Sequence, residues 1–325
     1  MSSRQGSVRI ALFIGGFVLL VTSVAGSGAA VAQRNVKVAV TTGVLSQHQL
    51  TSPPRVVLSD SQGTVATFTA GARTVTVRGA SRIFSESTTA ATVTTRTWVR
   101  FLDTPFDGTV DNAELAWLTS ARADTGPDVL ARAMQYVTGA PDRFSSSGQR
   151  IAGDASYGPL LADGTRGEGA DFNDFLGVSW VYPSGPDAPE PDQSGSLDCS
   201  GFVRMVLGYR SGLPLVLDPD GQRLPRRSFQ MLASGPGILV VPDLGVVPAV
   251  DRVLPGDLLF FDASTNDGVQ VDHVAIYLGV DSTGAPRFLS SRKTVDGPTM
   301  GDVGGRSTLS GTGLYASSFR AVRRV

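Results

Sequence analysis

Two residues dominate the chemistry open to the C-terminal half of this 325-residue chain. Cys199, its only cysteine, stands in SGSLDCSGFVRMV (194–206), and His273, the only histidine beyond His48, heads HVAIYLGV (273–280). A cysteine attacks as the thiolate and needs a base beside it, and imidazole is the usual one. The residues after Cys199 read as a helix. Phe202, Val203, Val206 and Leu207 fall at i+3, i+4, i+7 and i+8, which sets the thiol on an apolar stripe. Asp198 and Ser200 suit the helix start, and Gly212 followed by Pro214 suits its end. A thiol in the first turn meets unpaired N–H groups and the positive end of the helix dipole, so a lowered pKa is expected. HVAIYLGV reads as a strand with His273, Ala275 and Tyr277 on one face and Val274, Ile276 and Leu278 on the other. The competing reading of each residue is structural: a packed, inert thiol and a core imidazole. One cysteine and two distant histidines support no metal site, and no cofactor is expected.

The surrounding elements divide the chain. From Asn35 to about Arg100, short Val- and Thr-rich runs between Gly, Ser and Pro turns predict a small all-β module of five or six strands. His48, in LSQHQLTS, is expected in an exposed loop. A helix is predicted over 128–137, with a domain boundary just before Asp124. Residues 140–196 are rich in Gly, Asp, Ser and Pro. A loop that long usually borders a functional site, and a cap over the substrate cleft is one expectation. Beyond LPRRSFQML, a predicted short helix, DLLFFD, HVAIYLGV and RFLSS read as three strands, and SSFRAVRRV as a strand that closes the sheet. A cysteine-bearing helix followed by an antiparallel meander is an α+β arrangement.

A single cysteine sits oddly with the N-terminus. MSSRQGSVR, an uncharged apolar run (Ile10 to Gly26) and an Ala30-Val31-Ala32 site predict a signal peptide over 1–32, the alternative being an uncleaved membrane anchor. The apolar run falls short of the roughly 20 residues of a spanning helix, and no other stretch is long and apolar enough to span a membrane. Outside the cytosol a lone thiol is either deeply packed or retained for reactivity. A net charge of −1 gives no global basic field, so no nucleic-acid partner is expected. Arg287, Arg292, Lys293 and Arg306 flank the expected cleft as candidate partners for substrate carboxylates.

Four blocks in order resemble the NlpC/P60 family of cysteine peptidases: Leu197-Asp198-Cys199-Ser200-Gly201-Phe202-Val203, Leu224-Pro225-Arg226-Arg227-Ser228, Val253 to Phe261 (VLPGDLLFF), and Asp272-His273-Val274-Ala275-Ile276-Tyr277-Leu278-Gly279. The resemblance covers about residues 125–325 and implies a papain-like domain over 123–325 with an insertion at about 140–196, behind a 33–122 module of unlegible role. It implies a peptidase acting on peptidoglycan stem peptides, at the D-glutamyl–diamino acid bond the family favours. Cys199 would be the nucleophile, His273 the base and then the acid, with the Cys199 N–H at the oxyanion. Asp198 and Ser200 would line the cleft, Asp198 meeting the free amine of the stem. Two departures stand out. The family's third polar residue, commonly His, Asn or Gln, corresponds to Ser290, with Asp262 and Asp272 as alternatives for orienting the imidazole. The family's oxyanion-lining Tyr lies in a motif that an insertion displaces here, leaving Trp180 as the residue expected in its place. An amidase or acyltransferase of the same superfamily, or a wall-binding scaffold with degraded catalysis, are the alternatives.

Overall fold

The structure, a computed structural model, describes residues 19–20, 36–40, 43–264 and 268–325. Apart from Leu19–Leu20, the segment read as an export signal lies outside the described residues.

The N-terminal part is one antiparallel meander in chain order: β1 (Leu19–Leu20), β2 (Val36–Val40), β3 (Gly43–Thr51), β4 (Pro54–Asp60), β5 (Gly63–Thr69), β6 (Thr74–Phe84) and β7 (Val93–Phe101). Period-two burial explains it. Val56, Leu58, Val75 and Val77 turn inward from β4 and β6 and pack with Val65 and Phe68. His48 lies within β3, paired with Val57 and half-buried, and not in a loop; the polar run around it hides a strand because both neighbours supply backbone pairing. A helix the strand pattern obscured, α1 (Asn112–Ala123), closes this core with Leu115 and Leu118. It starts at a reciprocal Asp111–Glu114 capping box.

The C-terminal part begins with α2 (Val129–Ala133), which tightens into a 3₁₀ turn at Met134–Tyr136. Two small ribbons, β8 (Arg143–Phe144) with β9 (Arg150–Ala152) and β10 (Trp180–Tyr182) with β11 (Gly185–Asp187), and a short α3 (Phe172–Leu176) give the 140–196 segment its structure. Next come α4 (Cys199–Val203), α5 (Ser228–Ser234), β12 (Ile238–Val241), β13 (Leu258–Phe261), β14 (His273–Val280), β15 (Pro286–Arg292), β16 (Gly297–Thr299), α6 (Leu314–Ser318) and β17 (Phe319–Arg324). The sheet runs β12-β17-β13-β14-β15-β16, antiparallel throughout. The last strand therefore lies inside the sheet rather than closing it, because β12 takes the edge beyond β17. Helices and an antiparallel sheet make the domain α+β, as the sequence predicts.

Both sheet faces are dry. Leu258, Phe260, Val274, Ile276 and Leu289 face the core that holds Cys199, Phe202 and Leu197. Leu259, Phe261, Ala275, Tyr277 and Phe288 face a second core with Tyr315 and Phe319.

The two parts are joined by buried polar bonds as well as packing. Asp128 caps α2 at Ala131 N (3.0 Å), accepts from Val99 N of β7 (2.7 Å), and receives both arms of Arg82 of β6 at 2.6 Å. Thr74 donates through its backbone N and its hydroxyl to the Val325 carbonyl (2.7 and 2.6 Å). Phe84, Val93 and Val99 belong to the same core as Cys199.

Candidate active site

Cys199 opens α4, and its neighbours explain why the helix starts there. The Asp198 carboxylate accepts from Gly201 N (2.7 Å) as the N-cap. Gly201 is needed because a Cβ there would stand 2.1 Å from the Ala170 carbonyl, so only glycine lets the 140–196 segment pack against this turn. After five residues the helix widens into a π-helical stretch, Arg204–Tyr209, in which Arg210 N donates to Met205 O (3.0 Å). Cys199 to Gly208 are all buried, so the apolar stripe expected of an amphipathic helix is a helix packed on every side.

Asp198 is fully engaged. Besides Gly201 N it accepts from Gly169 N (3.2 Å), Ser200 Oγ (3.1 Å) and both arms of Arg226 (3.2 and 2.8 Å). Burial alone would push its pKa up, but the Arg226 guanidinium more than offsets this and holds it below the usual range. The Ser200 hydroxyl is tied as well, accepting from Arg226 at 2.6 Å. Arg226 reaches on to Asp171 (3.6 Å), which pairs with the buried Arg204 at 2.9 Å. Arg204 also donates to Val216 O, Leu224 O and the Tyr182 hydroxyl (2.7, 2.8 and 2.5 Å). This network fastens the 140–196 segment to the cysteine helix from beneath.

His273 is the first residue of β14, paired with Phe261 of β13. Its ring packs against Tyr315 (centroids 5.2 Å) and Phe261 (5.9 Å). Cys199 and His273 line one cleft of about 480 Å³ together with Asp198, Ser200, Asp272, Tyr157, Glu168, Arg227, Arg292, Lys293 and Tyr315. The Asp272 carbonyl stands 3.8 Å from Cys199 Sγ. The Asp272 carboxylate turns away to accept from Ala263 N and Ser264 N (3.2 and 2.5 Å). It buttresses the loop after β13, which explains why it is not positioned to orient the imidazole.

Three expectations change. First, the thiol is not poised as a thiolate. Burial, then the neighbouring Asp198 charge, push Cys199 up to about 12, against a weaker lowering by the Val274 N–H. A five-residue helix buried on all sides gives less relief than desolvation takes away. His273 moves the opposite way, down to about 3, through burial and then the Arg292 charge. The resting pair is a neutral thiol and a neutral imidazole.

Second, Ser290 makes no hydrogen bond to the imidazole. Its hydroxyl accepts from Arg292 Nε at 3.1 Å, while buried His273 Nε2 has no partner among the described residues. Ser291 Oγ donates to Leu197 O (2.5 Å), pinning β15 to the start of the cysteine helix.

Third, Trp180 is a packing residue. Its indole meets Phe172 edge-on (5.0 Å) and Tyr209 (6.0 Å), outside the residues that line the cleft. Tyr157 takes the cleft position instead. It is buried, and burial, with the nearby Asp198 charge adding to it, raises its pKa, so the phenol stays protonated. The only sequence signal for Tyr157 was its place in the displaced segment.

Of the four cleft cations read from sequence, Arg287 is buried against Asp281 (2.6 Å) and Asp302 (3.1 Å), and Arg306 is exposed outside the lining. Lys293 does reach the rim, paired with Glu168 at 2.6 Å. Arg227, exposed and lining the cleft, went unnoticed in the LPRRS block.

Residues 180–303 match the model of the NlpC/P60 family. No curated protein matches the chain.

Proposed function

We propose, from the match of residues 180–303 to the NlpC/P60 family model, that this chain is an exported, papain-like cysteine endopeptidase of peptidoglycan stem peptides, cutting at the D-glutamyl–diamino acid bond. The observation that carries this reading is the meeting of Cys199, at a helix start, with His273, at a strand start, in one cleft. The chemistry then runs from the neutral pair. As Sγ attacks the amide carbonyl, its proton passes to the unprotonated imidazole, which is therefore competent as a base. The Cys199 N–H and the Tyr157 hydroxyl receive the oxyanion. His273 returns the proton to the leaving amine, and water cleaves the thioester by the same route. Asp198, engaged by Arg226, Ser200 and two backbone N–H groups, shapes the helix start rather than meeting a substrate amine.

Digestion of purified muropeptides by wild type and by Cys199→Ala tests the reading: stem fragments appear with the first and vanish with the second. Fragments of equal yield from both proteins, or from neither, would sink it. A second reading, a wall-binding scaffold with degraded catalysis, draws on the unpartnered His273 Nε2. It predicts that neither protein cleaves and that both bind insoluble wall equally.

A further inference from the structure

The hydroxyl expected to hold His273 is taken by Arg292, and what Arg292 does beside it is unaccounted for. In the β14–β15 ladder Ile276 faces Leu289 and Tyr277 faces Phe288. Carried beyond the last paired residues, that register sets Ala275 opposite Ser290 and His273 opposite Arg292, on the same face of the sheet. The Arg292 side chain is buried and anchored on every arm: Nε donates to Ser290 Oγ (3.1 Å), one terminal nitrogen to the Gly305 carbonyl (2.5 Å), and the other to Ser307 Oγ. Its guanidinium carbon lies 4.3 Å from the Tyr315 ring centroid, and the His273 ring packs against the same tyrosine at 5.2 Å. No carboxylate pairs with Arg292 among the described residues, whereas Arg287, on the same strand, has two.

We propose that Arg292, rather than Ser290, is the positioning residue of His273, steadying the ring through the Tyr315 ring that both side chains pack against and presenting its charge to that face. Ser290 is then the anchor of the anchor. Arg292 does not touch the reacting atoms; it acts through its neighbours. The other groups facing the imidazole agree with this assignment. From α4 come Asp198, which favours protonation but is engaged by Arg226, and the neutral Cys199 thiol. From α6 comes the neutral phenol of Tyr315, and on His273's own strand side Asp272 is turned to the Ala263 and Ser264 amides. At the rim, Glu168 and Lys293 offset each other. Arg292 is left as the cation that acts on the ring.

The inference rests on the catalytic reading of His273, but its test does not. The chain holds two histidines, so the imidazole C–H resonances are assigned with His48→Gln and read against pH by NMR. In wild type His273 remains unprotonated at pH 5, and in Arg292→Met its midpoint rises by about one pH unit or more. Arg292→Lys, which keeps the charge, leaves His273 unprotonated at pH 5. A wild-type midpoint near that of free histidine overturns the proposal even if the Met variant fails to fold. So does a rise in the Lys variant equal to that in the Met variant. If these shifts appear while muropeptides stay intact, the positioning stands and the peptidase reading fails.

Discussion

At the scale of the residue, burial decides the protonation states, and local sequence context does not. Cys199 and His273 are both nearly closed from solvent, at 7% and 8% exposure, so each is driven toward its neutral form. Two predictions follow from the directions of those shifts. Alkylation of Cys199 by iodoacetamide should climb about tenfold per pH unit between pH 6 and 10, because the thiolate is a minor species throughout that range. A plateau near pH 7 would mean a preformed ion pair and overturn the neutral-pair mechanism. The second concerns stability. The folded chain holds His273 near 3 against 6.5 for an ordinary histidine, so the unfolded chain binds this proton more readily. The stability that comes from burying the neutral ring is complete above pH 6.5 and is lost as pH falls from 6.5 toward 3. Melting temperatures across that window should fall more steeply for wild type than for His273→Gln, and parallel curves would refute the assignment.

At the scale of the element, the cysteine helix depends on a close approach that only glycine permits. Gly201→Ala forces a methyl toward the Ala170 carbonyl and should cost about 1–3 kcal/mol of stability. Because Gly201 N also caps onto Asp198, the same variant should lose turnover through displacement of the first turn. Chemical denaturation and kcat read these two effects separately, and unchanged values of both would show that the approach is not as tight as described. Beneath the helix, Arg204 and Asp171 form a buried pair with 0% and 4% of their side chains exposed. Removing one charge strands the other, so Arg204→Met should cost about 3–5 kcal/mol, with a smaller loss in the double variant Arg204→Met, Asp171→Asn. Equal losses in single and double variants would refute the pairing.

At the scale of the whole molecule, the β meander is a structural partner of the C-terminal domain. Arg324 of the central strand β17 donates to Thr69 of β5 (2.9 Å) while holding Asp257 at 2.8 Å through two arms. Gly256, at φ +92°, sits where a Cβ would meet Val99 of β7 at 2.7 Å. Phe84, Val93 and Val99 fill the core that holds Cys199. Calorimetry should therefore show the two parts unfolding in one transition, and Arg82→Ala, which strands the fully buried Asp128 side chain, should lower its midpoint. Two separate transitions, with only the first moved by Arg82→Ala, would show independent domains. A chain lacking residues 43–122 should lose solubility, since its core would open where β6 and β7 pack.

Cys199 and His273 were legible as a candidate pair without coordinates, because each is the only residue of its type in the C-terminal half and each begins its own element, and both line one cleft. The α+β arrangement was legible too, from a cysteine-bearing helix followed by the strand-like runs DLLFFD, HVAIYLGV and RFLSS. What stayed hidden shares one cause: it depends on contacts between residues distant in the chain. Tyr157 reaches the cleft in place of Trp180 because Ser156 bridges to Ser196, a pairing that periodicity does not reveal. Arg292 faces His273 because an irregularity between Tyr277 and Gly279 shifts the β14–β15 register by one residue, and the register at the turn, carried on unshifted, would put it on the other face. The charge state of Cys199 reversed for the same reason. A helix start can be read from a few neighbouring residues, but the desolvation that outweighs its dipole is the sum of everything packed around it.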